Sequence, residues 1–396
     1  MLKKLKFDDD PHVIPAVRSA LPELDGKLKL STGKGDRAVI KLDKEHPEIP
    51  IVCKDVEIPS GSRVLMLDSQ KGFLGLSLAA INPDSQFVLY EPNLLDARVA
   101  GKNTELNYQL ENVSVLSEED FAAQEGARDY SQVIYAVPNY SPHEVISDNI
   151  AIGASFLKPN GEFYLVTRTK SGGVRQGQML AEVLGSKPML ETQGKGFRIF
   201  KVIPSEQIKE TDPRKNISYS ILGHDVQVQT EAGLFSKDDL DKGTRMLLEH
   251  VNPKDFTRLL DVGCGWGAIG LTAAINNPAG QVVMMDVDTR AVRVARDNAR
   301  SLQLSDRVST QAAVDLREVS GNFDLVLSNP PFHASEHDLI MLFEGVKDRL
   351  SKDGQFYFVV EKTFVNKLAT LAGSIFKNLY PVTSMDEQYI IYTARK

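Results

Sequence analysis

The 396-residue chain repeats one sequence pattern at a spacing close to half its length. An apolar segment that ends at Asp68 and one that ends at Asp261 are each followed by a glycine-containing turn. The number of residues that separates Asp68 from Asp261 also separates Gly161 from Gly354, near the end of each pattern. Coincidence would not hold a register over that length, and a fixed period indicates repeated structural units. The sequence therefore predicts two copies of one domain.

Each copy alternates short apolar segments with segments of helical periodicity, which is typical of an α/β fold with a parallel sheet covered on both faces. Residues 204–215 between the copies are polar and carry a proline near each end, as linkers often do. We therefore predict one domain over residues 1–205 and a second over residues 206–396. The alternating residues 217–228, with a glycine at their centre, predict a β-hairpin at the start of the second copy.

Composition excludes several classes of protein. No apolar run approaches the roughly 20 residues that span a bilayer, and acidic residues follow the basic N-terminus where a signal peptide needs apolar ones. Two cysteines and seven scattered histidines give no disulfide framework and no metal-ligand spacing. A net charge of −7 argues against indiscriminate nucleic-acid binding but permits a local basic face. We expect a cytoplasmic protein with neither a metal nor a membrane partner.

The four residues Asn329, Pro330, Pro331 and Phe332 directly follow the apolar segment 323–328, which we interpret as a strand. They therefore lie at the carboxyl edge of the predicted sheet, where open α/β sheets bind their ligands. The prolines stiffen the turn and keep Asn329 extended. An amide oxygen and a proline carbonyl can accept hydrogen bonds from an amino group, and a phenylalanine ring can stack on a base. These residues alone fit a plain strand-ending turn equally well.

A glycine-rich turn follows the predicted strand that ends at Asp261. Gly263, Gly265 and Gly267 precede a predicted helix that begins at Ala268. Glycines let a ligand approach the backbone closely, and the first N–H groups of the helix point toward it. The spacing differs from the fingerprint of dinucleotide-binding domains.

Two acidic residues follow the next two predicted strands. Asp286 ends the second strand, where a carboxylate can accept hydrogen bonds from both hydroxyls of a ribose. Asp315 follows the third, residues 308–312, and could accept a hydrogen bond from an adenine amine. A helix N-cap at Asp286 and a surface acid at Asp315 are the alternative interpretations.

The order of these motifs resembles that of class I S-adenosylmethionine-dependent methyltransferases that act on amino groups. Residues 233–237 and 240–248 narrow the resemblance to the RsmC/RlmG family of ribosomal RNA guanine-N2 methyltransferases. The resemblance covers the second half closely and the first half mainly through the repeat. It implies two tandem Rossmann-like class I methyltransferase domains, each a mostly parallel seven-stranded sheet with helices on both faces, of which the N-terminal copy is degenerate.

The resemblance also implies the cofactor, the partner and the site. The cofactor would be S-adenosylmethionine, and the partner ribosomal RNA, a ribosomal subunit or an assembly intermediate. The catalytic residues would accept hydrogen bonds from the guanine N2 amine and stack on the base: Asn329, Pro330, Pro331 and Phe332. The cofactor-binding residues would be Phe235, Ser236, Lys237, Asp261, Gly263, Gly265, Gly267, Asp286 and Asp315.

The first copy lacks this chemistry. Aligned by sequence, Gln70 and Phe73 replace two of the glycines, and Val137 stands where the second copy has Asn329. A valine side chain accepts no hydrogen bond from an amine. We expect this copy to bind no cofactor and to recognise the substrate or stabilise the protein. Its basic residues 167–175 could contact RNA phosphates, or could be a solvated loop.

Two alternative functions remain open at this stage. One is amino methylation of adenine or of a protein glutamine, since asparagine-proline-proline-aromatic turns also serve those substrates. The other is a non-catalytic RNA-binding or ribosome-assembly protein. The sequence identifies neither the ribosomal subunit nor the target nucleotide, and it does not give the oligomeric state.

Overall fold

The computed structural model describes residues 30–31, 37–38, 48–69, 71–107, 110–116, 129–139, 141–194, 196–208, 212–382 and 388–396. The chain divides into two compact units, Met1–Asp212 and Pro213–Lys396. The boundary predicted between residues 205 and 206 lies shortly before this division and stays a prediction. Residues 209–211 of the predicted linker lie outside the described residues.

The first unit is built on a seven-stranded sheet in which only one strand runs antiparallel to its neighbours. In sheet order the strands are Val113–Leu116, Gln86–Tyr90, Arg63–Leu67, Tyr130–Ala136, Leu157–Arg168, the antiparallel Phe197–Val202, and Met189–Gly194. The helices are Ile49–Asp55, Phe73–Ile81, Leu94–Leu106, His143–Ser155 and Gly173–Leu184, with a 3-10 turn at Thr169–Ser171. A two-residue antiparallel pair joins Leu30–Ser31 to Arg37–Ala38.

The second unit has a sheet of the same order. Its strands are Val308–Ala312, Gln281–Asp286, Arg258–Val262, Phe323–Ser328, Leu350–Glu361, the antiparallel Tyr389–Arg395, and Asn378–Val382. The helices are Lys242–Val251, Ala268–Asn276, Thr289–Ser301, Glu336–Arg349 and Val365–Ile375, with 3-10 turns at Leu316–Glu318 and Lys362–Phe364. The predicted hairpin is confirmed as Arg214–Ile221 paired with His224–Glu231.

The side chains of the central strands point alternately to the two faces of the second sheet, and each face has its own hydrophobic core. Leu259 and Leu325 belong to one buried cluster, whereas their neighbours Leu260 and Val326 belong to the other. Successive side chains of a strand point to opposite faces, so a strand covered on both sides needs a continuous apolar run. Helices supply buried residues to both clusters. The prediction of two α/β domains with mostly parallel sheets is therefore confirmed.

Strand pairing corrects the alignment of the two copies at the first central strand. Leu67 and Val262 are each the last residue of the first central strand of their copy. Each pairs with a residue at or next to the end of the neighbouring strand, so Leu67 and Val262 occupy equivalent positions. Met66 therefore corresponds to Asp261, and the alignment of Asp68 with Asp261 is wrong by two positions. The sequence alignment matched two aspartates by chemical type, whereas the structure fixes the register by pairing.

The same correction applies to the glycine turn. Gly72 and Gly267 both precede the helix in the left-handed conformation, with φ of 85° and 99°. Phe73 therefore corresponds to Ala268 and does not replace a glycine. Gln70, which this register places opposite a glycine of the second copy, lies outside the described residues.

The counterpart of the asparagine in the proline turn also shifts by one. In each copy the last residue of the first central strand pairs with a residue of the strand beside it. This partner is Tyr135 in the first copy and Ser328 in the second, so the two residues are equivalent. Ala136, rather than Val137, therefore corresponds to Asn329. The chemical conclusion is unchanged, because alanine and valine side chains both lack a hydrogen-bond acceptor.

In both copies an asparagine on the second helix after the turn holds the turn in place. The Asn103 side-chain nitrogen donates to the Lys71 carbonyl at 2.9 Å, and the Asn298 side-chain nitrogen donates to the Trp266 carbonyl at the same distance. Both asparagines are buried. The first copy has thus kept a hydrogen bond that supports the turn while its residues facing the ligand side differ.

Within the described ranges, no helix combines the length and the apolar character needed to cross a membrane. The same residues hold no group of three or more histidine, cysteine or acidic side chains placed to bind a metal ion.

Candidate functional site

A solvent-open cleft of about 350 Å³ lies in the second unit, at the carboxyl ends of the strands Arg258–Val262 and Phe323–Ser328. Its walls come from three parts of the sequence: the glycine turn, the segment 235–244, and Asn329. The structure therefore brings the predicted catalytic asparagine and part of the predicted cofactor site to one place, at the sheet edge where α/β folds bind ligands.

Gly263 and Gly265 form the floor of this cleft. Their φ angles of 73° and 53° are left-handed, and a Cβ atom on either residue would meet no atom within 4 Å. Side chains at these positions would project into open space and fill the cleft. Gly267 differs, because a Cβ there would lie 2.9 Å from a side-chain carbon of Leu271. The first two glycines leave room for a ligand, whereas the third allows the helix to pack.

Asp286 holds the glycine turn in shape. Its Oδ2 accepts a hydrogen bond from the Gly265 backbone nitrogen at 2.9 Å, and its Oδ1 accepts one from the Asp288 nitrogen, also at 2.9 Å. Burial raises the pKa of this carboxyl, and hydrogen bonds from the backbone of Asp288, Gly265 and Val287 oppose that rise. A carboxylate offers about four acceptor positions, so the group can still accept a further hydrogen bond.

Asp261 lies beneath the turn and not on the cleft surface. It is fully buried, and its Oδ2 accepts a hydrogen bond from the Gly270 backbone nitrogen at 2.9 Å. Its Oδ1 finds no partner among the described residues. Burial raises the pKa of Asp261 to about 7, with a further increase from the charge of Asp286. The position supports a role in holding the start of the helix rather than direct contact with a ligand.

Asn329 lines the cleft with its amide held in one orientation. The side-chain nitrogen donates to Asp241 Oδ2 and to Thr244 Oγ1, both at 3.0 Å. A carboxylate can only accept when ionised, so the nitrogen and not the oxygen must face Asp241. No described residue donates to the amide oxygen, which is left to accept from a ligand. Asp241 in turn caps the helix Lys242–Val251 by accepting from the Thr244 nitrogen at 2.8 Å.

The residues of the proline turn after Asn329 differ in burial and pack against neighbouring side chains. Pro330 is buried, Pro331 is exposed, and the half-buried Phe332 ring stacks on Phe364 with centroids 5.6 Å apart and planes inclined by 22°. Lys367 donates to the Ala334 carbonyl at 2.6 Å and fixes the residues after the turn. Because Phe364 covers one face of the Phe332 ring, a base has only the opposite face on which to stack.

The segment 235–237 forms another wall. Phe235 lines the cleft and is 61% exposed, so it gives the cleft an apolar wall that a ligand can reach. Ser236 also lines the cleft, and its carbonyl accepts a hydrogen bond from the Trp266 indole at 3.2 Å. Lys237 instead pairs with Asp238 at 2.7 Å. Two of the three predicted residues therefore face the cleft.

Asp315 is not part of the cleft wall. Its side chain caps the 3-10 turn Leu316–Glu318 and accepts hydrogen bonds from the Arg317 backbone and guanidinium. The Arg317 side chain lowers the pKa of Asp315. The proposed contact between Asp315 and an adenine stays a prediction.

The sequence interpretation gave no role to Asp241 and Thr244, although both lie in the stretch that supported the family resemblance. One signal was available for Asp241, because an aspartate directly before the first residue of a helix is a typical N-cap. The contact with Asn329 was not foreseeable in this way, since the two residues are 88 positions apart.

The corresponding turn of the first unit is held by side chains. Glu91, the counterpart of Asp286, is buried and accepts a hydrogen bond from the Ser69 hydroxyl at 2.5 Å. Burial raises the pKa of Glu91 well above its usual value, as does the charge of Asp68. Lys71 lies 3.9 Å from Asp96. The carboxylate at this position thus accepts a hydrogen bond from a glycine nitrogen in the second unit and from a serine hydroxyl in the first.

Comparison with known proteins gives a consistent result. The profile of a family described as "Methyltransferase small domain" matches residues 51–201 and 225–393. The chain is 26% identical to the ribosomal RNA small subunit methyltransferase C of Pseudoalteromonas atlantica over 359 residues, which are 87% of this chain and 98% of that protein. These matches bear out the resemblance drawn from the motifs.

Other relatives match over shorter regions. The ribosomal RNA small subunit methyltransferase C of Pseudomonas putida is 31% identical over 199 residues, 49% of this chain but only 58% of that protein. The ribosomal RNA large subunit methyltransferase G of Photobacterium profundum is 27% identical over 214 residues, 51% of this chain and 55% of that protein. The matched regions thus span less than two thirds of the length of both relatives.

Among solved structures, the 16S rRNA N2 G1207 methyltransferase RsmC of T. thermophilus, in complex with AdoMet and guanosine, superimposes with a TM-score of 0.72. The two chains are 18% identical, and the match covers 93% of this chain and 97% of the other. At this level of identity the match establishes a common fold. It confirms the predicted arrangement of two tandem domains of this class.

Proposed function

Because this chain belongs to the methyltransferase small domain family, we propose that it transfers a methyl group from S-adenosylmethionine to the exocyclic N2 amine of a guanine in ribosomal RNA. The observation that carries the proposal is the state of Asn329: its nitrogen is tied to Asp241 and Thr244, and its oxygen is left to accept in the cleft. The relatives named for ribosomal RNA methylation support the same substrate class.

The cleft suits S-adenosylmethionine as the cofactor. Gly263 and Gly265 leave space that any side chain would fill, and Phe235 offers an exposed apolar wall. Asp286 retains lone pairs that can accept hydrogen bonds from ribose hydroxyls. We assign the glycines, Asp286, Phe235 and Ser236 to cofactor binding. When bound, S-adenosylmethionine supplies a methyl group activated by a sulfonium.

The contribution of the protein to the reaction is positioning. The Asn329 oxygen and the Pro330 carbonyl can accept the two hydrogens of an amine, which turns the nitrogen lone pair out of the hydrogen-bonded plane. The free face of Phe332 can stack on the base and hold it in this orientation. Placing the reacting atoms in near-attack geometry lowers the barrier without a covalent intermediate. A target inside folded RNA must first be flipped out of its stack.

We propose that the first unit contributes to RNA binding. Lys170 and Arg175 are exposed beside the start of the helix Gly173–Leu184, and neither forms an ion pair within the described part of the chain. Cations near the carboxyl edge of the sheet can contact phosphates without regard to sequence. A ribosomal subunit or an assembly intermediate is then the partner, and the cytoplasm is the compartment in which they meet.

The function is tested by comparing ribosomal RNA from cells with and without the protein. We expect mass spectrometry of nuclease fragments to find one N2-methylguanosine that is missing in the deletion strain and is restored by the wild-type gene. The Asn329→Ala gene should not restore it. Identical modification of both strains at every guanine would refute the proposed substrate. Loss of a methylated adenine instead would favour the adenine alternative.

A further inference from the structure

We propose that Asp241 selects guanine by accepting a hydrogen bond from its N1–H, in addition to holding Asn329 in place. This inference rests on the proposed function and names the group that recognises the base. Asp241 lines the same cleft as Asn329 and is only partly buried, so its side chain is accessible to a ligand.

One oxygen of the Asp241 carboxylate is fully engaged by the protein. Oδ2 accepts from the Thr244 backbone nitrogen at 2.8 Å and from the Asn329 side chain at 3.0 Å. These two hydrogen bonds fix the plane of the carboxylate, because one ties it to the helix and the other to the proline turn. The orientation of the Asn329 amide therefore depends on an acceptor at this point.

The other oxygen has no such engagement. No described residue donates a hydrogen bond to Asp241 Oδ1. The side chains of Asp241 and Asn329 are joined by a hydrogen bond, and both residues line the cleft. We infer that Asp241 Oδ1 and Asn329 Oδ1 are acceptors available to the same ligand. The Asn329 nitrogen between them already donates to Asp241 and Thr244, so the two acceptors favour a ligand edge that carries donors only.

Guanine has such an edge, because its N1–H and N2 amine are adjoining donors. A base whose amine reaches Asn329 brings N1 to the neighbouring position. In adenine and in 2-aminopurine N1 is an acceptor, so its lone pair would face that of a carboxylate. An analogue that leaves a hydrogen-bonding group of the site unpaired is rejected strongly. An apolar pocket discriminates much less between ligands that differ only slightly in size.

Substitution by asparagine separates the two roles of Asp241. Asparagine keeps one oxygen, which can still accept from Thr244 and Asn329, and it is a good N-cap residue. Its nitrogen then takes the place of Oδ1 and converts the acceptor into a donor. Asp241→Asn should therefore preserve the fold and the orientation of Asn329 while it inverts the preference at N1. Asp241→Ala removes both functions.

The test uses the ribosomal RNA fragment whose methylation is lost in the deletion strain, synthesised with guanine or with 2-aminopurine at the target position. Single-turnover methylation is measured with radiolabelled S-adenosylmethionine for the wild type, Asp241→Asn, Asp241→Ala and the control Glu249→Gln. Glu249 is exposed on the same helix, so its change also converts a carboxylate to an amide. Calorimetry with S-adenosylmethionine and thermal melting are recorded for each protein.

We expect the wild type and Glu249→Gln to prefer guanine by at least about tenfold, since 2-aminopurine would leave the Asp241 carboxylate without the donor that guanine supplies. Asp241→Asn should lower that ratio by about tenfold or more with cofactor affinity unchanged, and Asp241→Ala should lose activity on both RNAs. An unchanged ratio in Asp241→Asn, or equal loss on both RNAs, would overturn base selection by Asp241 and leave the proposed function standing. A wild type that methylates neither RNA would overturn both.

Discussion

The Asp286 carboxylate accepts a hydrogen bond from the Gly265 backbone nitrogen at 2.9 Å, so the residue proposed to bind the ribose also shapes the floor of the cleft. Asp286→Ala should therefore raise the Kd for S-adenosylmethionine at least about tenfold, since hydrogen bonds to charged groups contribute about 1.5–3 kcal/mol. Isothermal titration calorimetry measures this directly.

The duplication supplies a matched control for this change. Glu91 holds the equivalent position in the first unit, where it accepts from the Ser69 hydroxyl. Glu91→Gln should leave cofactor affinity and the stoichiometry of one site per chain unchanged. A wild-type stoichiometry of two, or weaker binding in Glu91→Gln, would contradict the prediction that only the second unit binds the cofactor.

Removal of the Asn329 amide should affect the chemical step and not cofactor binding. Asn329→Ala is expected to lower the single-turnover rate by about 10²–10³, the size found when one preorganised hydrogen-bonding group is removed from an active site. The Kd for S-adenosylmethionine should stay within about threefold of the wild-type value, because Asp286 and the glycine turn are unaffected. A rate within twofold of wild type would remove Asn329 from the catalytic centre.

Asp261 should make the second unit less stable as the pH rises. The pKa of this carboxyl is raised from 3.8 to about 7 in the folded protein. Between these values the folded state binds a proton that the unfolded state has released, so the free energy of unfolding falls with increasing pH. The fall is complete above pH 7, and each unit of pKa difference corresponds to about 1.4 kcal/mol.

Asp261→Asn removes this titration while an amide oxygen can still accept from Gly270. Relative to the variant, the wild type should therefore lose stability between about pH 4 and pH 7. Urea unfolding followed by the fluorescence of Trp266, the single tryptophan of the chain, reports on the second unit. Parallel pH profiles for the two proteins would show that Asp261 does not titrate in this range.

The basic residues of the first unit should contribute to RNA affinity in a salt-dependent way. The double change Lys170→Ala and Arg175→Ala is expected to weaken binding of ribosomal RNA and to lower the slope of log affinity against log salt concentration by about 1 to 2. Filter binding over a series of salt concentrations measures the slope, and cofactor affinity should not change.

Lys158→Ala provides the control for charge alone. This exposed lysine lies near the start of the strand Leu157–Arg168, at the opposite end from the basic residues. Its removal should leave the slope close to the wild-type value. Equal effects of the single and double changes would mean that RNA responds to the overall charge of the unit and not to this loop.

The sequence predicted the strands well because burial on both faces demands continuous apolar runs. The strand predicted at residues 308–312 is present as Val308–Ala312, and Asn329 follows Phe323–Ser328 at the edge of the sheet. The sequence alignment of the two copies was less successful at Asp261. The spacing between equivalent strands differs by two residues in the two copies, and such a difference leaves no local signal in the sequence. Only the pairing of the strands reveals that the counterpart of Asp261 is Met66.

The contacts that hold the site together were also beyond the sequence. The hydrogen bond between Asn329 and Asp241 joins residues 88 positions apart, and nothing in the spacing of either motif indicates it. Burial of Asp261 beneath the turn is likewise a result of packing. Motif chemistry named the candidate residues, whereas tertiary structure decided which of them line the cleft.

The asparagine brace found in both units has a consequence for how such a chain can evolve. Asn103 and Asn298 secure their turns through backbone carbonyls, so neither hydrogen bond depends on the side chain of the residue that it holds. A duplicated copy can therefore exchange its ligand-facing residues without losing the scaffold that displays them. A copy that no longer binds the ligand can in this way take on a different task while the other keeps the residues that line its cleft.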